Sequence, residues 1–171
     1  MNFRKFDPAN DYHLDLPDLP GNYIVALKPG CSLPACPVPF TMTKHEGLDV
    51  LYVGKSKNLR KRDYNSHFNG TAGRSTLRKS LGCFWNYPFV PRDKNNPGNG
   101  KVMYGAENEA ALSLWMEKNL VLFYCANGNC DADELSLISM YNPPLNLDGN
   151  VNPVNSEFRA WLSSRRSTKR V

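Results

Sequence analysis

A few polar side chains stand where cores rarely put them, and their types suit phosphate chemistry. Tyr23 falls in the middle of one apolar run and Tyr52 near the end of another. Lys55 and Arg62 follow Tyr52 closely. Far downstream, Glu134 opens a helical pattern and Asn146 follows it. Cleavage of a phosphodiester needs a base for the water, a cation for the transition-state oxygens, a metal, and an acid to hold that metal. A tyrosine, with an ordinary pKa of about 10, works as a base only beside positive charge. Lys55, Arg62 and a metal ion could supply that charge. Each residue also has a plainer reading: half-buried strand tyrosines, a solvated arginine, and a glutamate that suits the positive end of a helix.

The stretch Leu51-Tyr-Val-Gly-Lys-Ser-Lys-Asn-Leu-Arg-Lys-Arg62 must position most of these groups. Strand alternation puts Val50 and Tyr52 on one face and Leu51 and Val53 on the other. Gly54 permits a tight turn. Ser56 is the expected N-cap of a basic helix from 57 to about 67. Residues 55 to 79 hold eight cationic side chains against Asp63 alone. Beyond Lys55 and Arg62 these are Lys57, Arg60, Lys61, Arg74, Arg78 and Lys79, a set suited to nucleic acid. The last fifteen residues add Arg159, Arg165, Arg166, Lys169 and Arg170 against Glu157.

The remaining elements follow from periodicity. Residues 1 to 20 read as an irregular, acidic lead-in that drapes on the domain, with Leu14, Leu16 and Leu19 expected against the core. Gly21 to Lys28 alternates as a strand, and a proline-rich insertion over 29–47 links it to the strand 48–54 as an elaborated antiparallel hairpin. Ser75 or Thr76 caps a short helix over Leu77–Leu81, with Leu77 and Leu81 inward and Arg74, Arg78 and Lys79 outward. Residues 83–105 are rich in Asn, Pro and Gly around apolar pieces, and their centre, Pro91 to Gly100, reads as a mobile loop. Ala110, Ala111, Leu114 and Trp115 suggest the inner face of a helix over 107–118. A third strand spans 119–125. A helix runs from Glu134 to Tyr141, with Leu137, Ile138 and Tyr141 inward, and a last helix begins at Ser156 with a basic tail. The fold class is α/β: a small, mainly antiparallel three-stranded central sheet flanked by helices.

The length of 171 residues suits one domain with a workable core. The divisions are the lead-in over 1–20, the central domain over 21–147, and the C-terminal helix and tail over 148–171. No apolar run is long enough to span a membrane, and the N-terminus lacks the apolar segment of a secretion signal. A cytoplasmic protein is therefore expected. Five cysteines, an odd number, point to free thiols. The pairs Cys31/Cys36 and Cys125/Cys130 share a spacing that could in principle make a four-thiolate zinc site, but coincidental thiols are the preferred reading and structural zinc is not expected.

The chain resembles the GIY-YIG nucleases. Gly21-Asn22-Tyr23 matches the first half-motif and Tyr52-Val53-Gly54 the second. Arg62 stands where the family has its arginine. Glu134, followed by Pro143-Pro-Leu-Asn146, matches the metal-binding glutamate and the later asparagine. The resemblance runs from about residue 21 to 147. It implies a DNA endonuclease domain using one divalent ion, Mg2+ or Mn2+. By this analogy Glu134 binds the metal, Tyr23 or Tyr52 activates water (Tyr23 preferred), Arg62 stabilises the phosphate charge, Lys55 assists, and Asn146 braces the site.

Two features depart from the family pattern. Many members carry a His or Tyr four residues after the arginine; here that residue is Ser66, and His67 comes one later. Either a register shift brings His67 into the site or its role is lost. The tyrosines are also much farther apart than in compact members, which resembles the longer hairpins of restriction-type relatives. A catalytically impaired nucleic-acid-binding module is the alternative reading. With no separate DNA-reading domain, specificity falls to the insertion and the loop 83–105, or to a protein partner or a second copy.

Overall fold

The computed structural model describes residues 1–167. Five strands form the central sheet: β1 (Arg4–Phe6), β2 (Gly21–Leu27), β3 (Lys44–His45), β4 (Leu48–Ser56) and β7 (Leu120–Ala126), in the order β1-β7-β2-β4-β3. Every neighbouring pair is antiparallel. The three strands expected from alternation are the middle of this sheet. The two extra strands are edges of three and two residues, too short for alternation to reveal. A separate hairpin of β5 (Phe89–Pro91) and β6 (Val102–Tyr104) forms within 83–105, and most of the segment over 91–100 is the connection between its strands.

The helices cover both faces, so all seven residues of β2 are buried. One face carries Tyr23, Val25, Leu27, Leu51 and Leu122. It packs against α1 (Leu59–Arg62), α2 (Thr76–Gly82), α3 (Ala106–Asn119) and α5 (Ser156–Ser167). The other face carries Ile24, Ala26, Val50, Val53 and Phe123 under Leu137 and Ile138 of α4 (Cys130–Tyr141). The lead-in belongs to this core, because Phe6 and Leu16 are fully buried.

Three local expectations change. A β-bulge places two residues of β4, Leu51 and Tyr52, against one step of β2, so that Val25 pairs with Tyr52 and Ala26 with Val50. Leu51 therefore joins Tyr52 on the helix-covered face of Tyr23, and Val50 joins Val53 beneath α4. The basic helix starts later than expected. Asn58, not Ser56, caps it by accepting the Lys61 N–H at 2.9 Å. Ser56 instead closes a local turn with Asn58. Finally, α3 is rotated: its buried residues are Glu109, Leu112 and Met116, while Ala110, Ala111 and Leu114 face solvent. Glu109 turns inward because it meets a buried arginine, which hydrophobic spacing does not register.

Candidate active site

Tyr23 is the centre of a buried polar chain. Its ring lies across Gly54, the residue opposite it on β4, where any side chain would collide with the phenol. The Tyr23 hydroxyl shares a 2.7 Å hydrogen bond with His67 Nε2, and His67 Nδ1 shares one of 2.6 Å with Ser75 Oγ. Arg62 Nε–H donates to the Tyr23 oxygen at 3.4 Å, and Arg62 Nη1 donates to the Arg74 carbonyl at 3.0 Å. Ser75 Oγ also caps α2 by accepting the Arg78 N–H.

His67 reaches Tyr23 because the helix changes pitch. After Arg62 the chain continues as a π-turn over Asp63–Phe68, in which side chains five apart share a face. The extra residue between arginine and histidine is absorbed there. Of the two alternatives posed by Ser66 and His67, the register shift is the one observed. Ser66 turns away and donates to the Lys61 carbonyl.

Burial sets the protonation states of this chain. It pushes the Tyr23 hydroxyl well above its ordinary range, helped by Tyr52 and Asp63 and opposed by Arg62. Burial, with Arg62 and Arg78, holds His67 well below its usual value, so the imidazole is neutral. Asp63 is also fully buried. Neither of its carboxylate oxygens has a hydrogen-bond partner, and burial raises its pKa well above the carboxylate range against the pull of Arg62.

The open part of the site lies beside this chain. A cleft of about 330 Å3 is lined by Tyr52, Thr76, Glu134, Asn146 and Asp148, with Leu135 and Ile138 as its apolar wall. Tyr52 shares a 3.1 Å hydrogen bond with Thr76 Oγ1. Asn146 binds both backbone groups of Val53, accepting from N–H at 2.9 Å and donating to the carbonyl at 2.8 Å. That fixes the β4 residue between Tyr52 and Gly54. Lys55 Nζ lies 2.9 Å from Glu134 and 2.6 Å from Asp131, and hydrogen bonding to both acids, Asp131 first, raises its pKa. The preference for Tyr23 as the base does not fit this geometry. Its hydroxyl is enclosed and held neutral, whereas Tyr52 is the tyrosine that shares the cleft with Glu134.

Glu134 fits a hard divalent ion. Among the described residues no group of three or more His, Cys, Asp or Glu side chains converges, so the four paired cysteines form no cage. A cleft lined by the carboxylates of Glu134 and Asp148 suits Mg2+ or Mn2+, which keep most of their water and use one or two carboxylates plus substrate phosphate.

The surface cations divide. Lys57, Lys61 and Arg74 are exposed, and Lys79 is half-buried. Arg60 is occupied with the lead-in: it donates to the Leu14 and Leu16 carbonyls and pairs with Asp18. Arg78 is not on the surface at all. It is fully buried, paired with Glu109 at 2.8 Å, and it donates to the carbonyls of His67 and Phe68. It faces inward because the end of the π-turn needs a donor and Glu109 supplies the charge. Lys169 and Arg170 lie outside the described residues.

Sequence spacing missed Asn22, Ser75, Thr76 and Asp131. Asn22 is buried in β2 and donates to the Cys130 carbonyl at 2.9 Å, which ties the first turn of α4, and so Glu134, to the strand of Tyr23. Its signal was an amide inside an apolar strand. Local sequence marks Ser75 and Thr76 only as helix caps.

Among the described residues no helix is long and apolar enough to cross a membrane. No curated protein and no solved structure matches the chain at a significant level. The family described as the GIY-YIG catalytic domain matches residues 21–168, almost the whole chain and α5 with it. With both tyrosines, the arginine and the glutamate gathered around β2, β4 and α4, the chain belongs to the GIY-YIG catalytic-domain family, a family of nucleases.

Proposed function

We propose that the protein is an endonuclease that hydrolyses DNA phosphodiester bonds with one divalent ion, Mg2+ or Mn2+, held by Glu134. The observation that carries this reading is the shared cleft of Tyr52, Thr76, Glu134 and Asn146, with Arg62 and Lys55 adjoining it. When bound, the ion polarises a phosphoryl oxygen as a Lewis acid. Tyr52, as the phenolate that Arg62, Lys55 and the ion would favour, takes the proton of the attacking water, and solvent water protonates the leaving oxygen. Arg62, anchored on the Arg74 carbonyl and the Tyr23 hydroxyl, places its remaining donors on the phosphate oxygens. Lys55 shifts from Glu134 toward the phosphate charge. Neutral His67 and Tyr23 hold Arg62 in place, and Asn146 keeps β4 at the depth that Tyr52 needs.

The competing reading, a catalytically impaired nucleic-acid-binding module, drew on the displaced histidine. The Tyr23–His67 bond weighs against it. The proposed location is the cytoplasm, in keeping with five free thiols, and a protein partner or second copy is the proposed source of sequence specificity. The decisive experiment is plasmid nicking with Mg2+ or Mn2+. Wild type is expected to cut at least a hundredfold faster than Glu134→Ala. Equal rates under both metals end the nuclease reading.

A further inference from the structure

A second group of cations converges beside the cleft, from three elements far apart in the chain. Lys79 lies on α2, Arg92 follows β5, and Arg165 and Arg166 end α5. Two of these side chains, those of Arg92 and Arg165, are held by hydrogen bonds. Arg92 lies over Gly73, where a β-carbon would displace it, and donates to the Gly73 carbonyl at 2.9 Å. Arg165 donates to Asn86 Oδ1. The backbone of Lys79 is pinned through its carbonyl, which accepts from Tyr104 at 2.6 Å and from the Cys83 thiol at 3.2 Å. Among the described residues none of the four forms a salt bridge with an acid. Burial, then Arg166 and Arg92, draws the Lys79 ammonium below its ordinary pKa. Like charges gathered without a counter-ion raise the energy of the free protein, and a polyanion relieves it.

The cluster begins where the cleft ends. Arg62 reaches the Arg74 carbonyl, Arg92 the Gly73 carbonyl next to it, and Tyr52 the side chain of Thr76. Lys79 follows Thr76 by one turn, about 5 Å of helical rise. We propose that Lys79, Arg92 and Arg166 form a second subsite, which binds the backbone of the same duplex DNA on one side of the scissile phosphate. This rests on the DNA reading above. The subsite would fix the direction in which the duplex leaves the cleft, and it assigns a binding role to the β5–β6 hairpin and to the end of α5.

The test uses the full chain carrying Glu134→Gln, so that a 20-base-pair duplex stays uncut, and follows binding by fluorescence polarisation from 50 to 200 mM salt. Replacing Lys79, Arg92 and Arg166 together by Gln is expected to lower the slope of log affinity against log salt by about 2 to 3. Affinity should fall by about tenfold or more. A control, Arg4→Gln with Lys5→Gln and Lys118→Gln, removes the same charge from exposed positions elsewhere and should change the slope by less than about 1. Arg92→Lys with Arg166→Lys keeps the charge and should keep the slope. If the triple variant behaves as the control does, the subsite is wrong while the nuclease reading stands. If the parent does not bind duplex DNA at all, both fall together.

Discussion

Tyr23 and Tyr52 are alike in sequence and unlike in place. One is sealed against His67, Arg62 and Gly54; the other faces Glu134 across a cleft. Their phenylalanine variants should separate accordingly. Tyr52→Phe removes the proposed base and is expected to slow nicking by about 10²- to 10⁴-fold. Tyr23→Phe removes only a group that positions Arg62 and should cost about 10- to 100-fold. Equal losses in the single-turnover rate would reject this division of labour. Spacing identified both residues but not their difference, because exposure is decided by what packs on the strand. Asp63 gives a separate, pH-dependent test. Its buried, unpartnered carboxyl keeps its proton to a higher pH than an unfolded aspartate does. The native state then binds the extra proton, and stability falls as the pH rises from about 4 through the raised native pKa. Asparagine cannot ionise. The melting temperature of Asp63→Asn relative to wild type should therefore climb with pH, and a constant difference between pH 4 and 8 would show that Asp63 is not the responsible group.

At the scale of elements, two irregularities place the site: the bulge in β4 and the π-turn after α1. Neither is visible to a period of 2.0 or 3.6, so alternation assigned Val50 and Leu51 to the wrong faces and could not choose between Ser66 and His67. Deleting Ser66 tests the second irregularity. It shortens the π-turn by one residue and brings His67 to four places after Arg62, the spacing of an α-helical turn. Nicking should stay within about tenfold of wild type, whereas His67→Ala should lose about 10- to 100-fold. A Ser66 deletion as damaging as His67→Ala would mean that the π-turn is needed for more than reach. The turn is held at its end by Arg78, which basic composition had suggested for DNA contact. Arg78→Met leaves Glu109 buried without its partner and should cost about 3–5 kcal/mol in denaturant unfolding. Chemical denaturation with an unchanged midpoint would return Arg78 to the surface set.

The whole molecule is larger than the motif. The half-motifs, the helix of Glu134 and the middle three strands were legible because each has a strong local pattern. The lead-in was legible only in part: Leu16 is buried as expected, but Leu14 and Leu19 face solvent, and a three-residue edge strand with one inward side chain, Phe6, leaves no local pattern. A chain beginning at Gly21 loses Phe6 and Leu16, about 3–6 kcal/mol of burial at the usual value for large apolar side chains, together with the partners of Arg60. It should melt well below the full chain. An unchanged melting temperature would show that the lead-in merely rests on the surface.

The sheet order also fixes an order in time. β2 carries Tyr23 at the centre of the sheet, yet one of its two neighbours is β7, and the hydrogen bond that the Asn127 side-chain amide donates to Asn22 Oδ1 closes over 105 residues. During synthesis at about 5–20 residues per second, β2 waits roughly 5–20 s for that partner, with one edge unpaired. Contacts of such long range slow folding, and an open apolar edge invites pairing with other chains meanwhile. Chains that stop before Leu120 should therefore collect in the insoluble fraction, even though β2, β4 and the basic helix are all present in them.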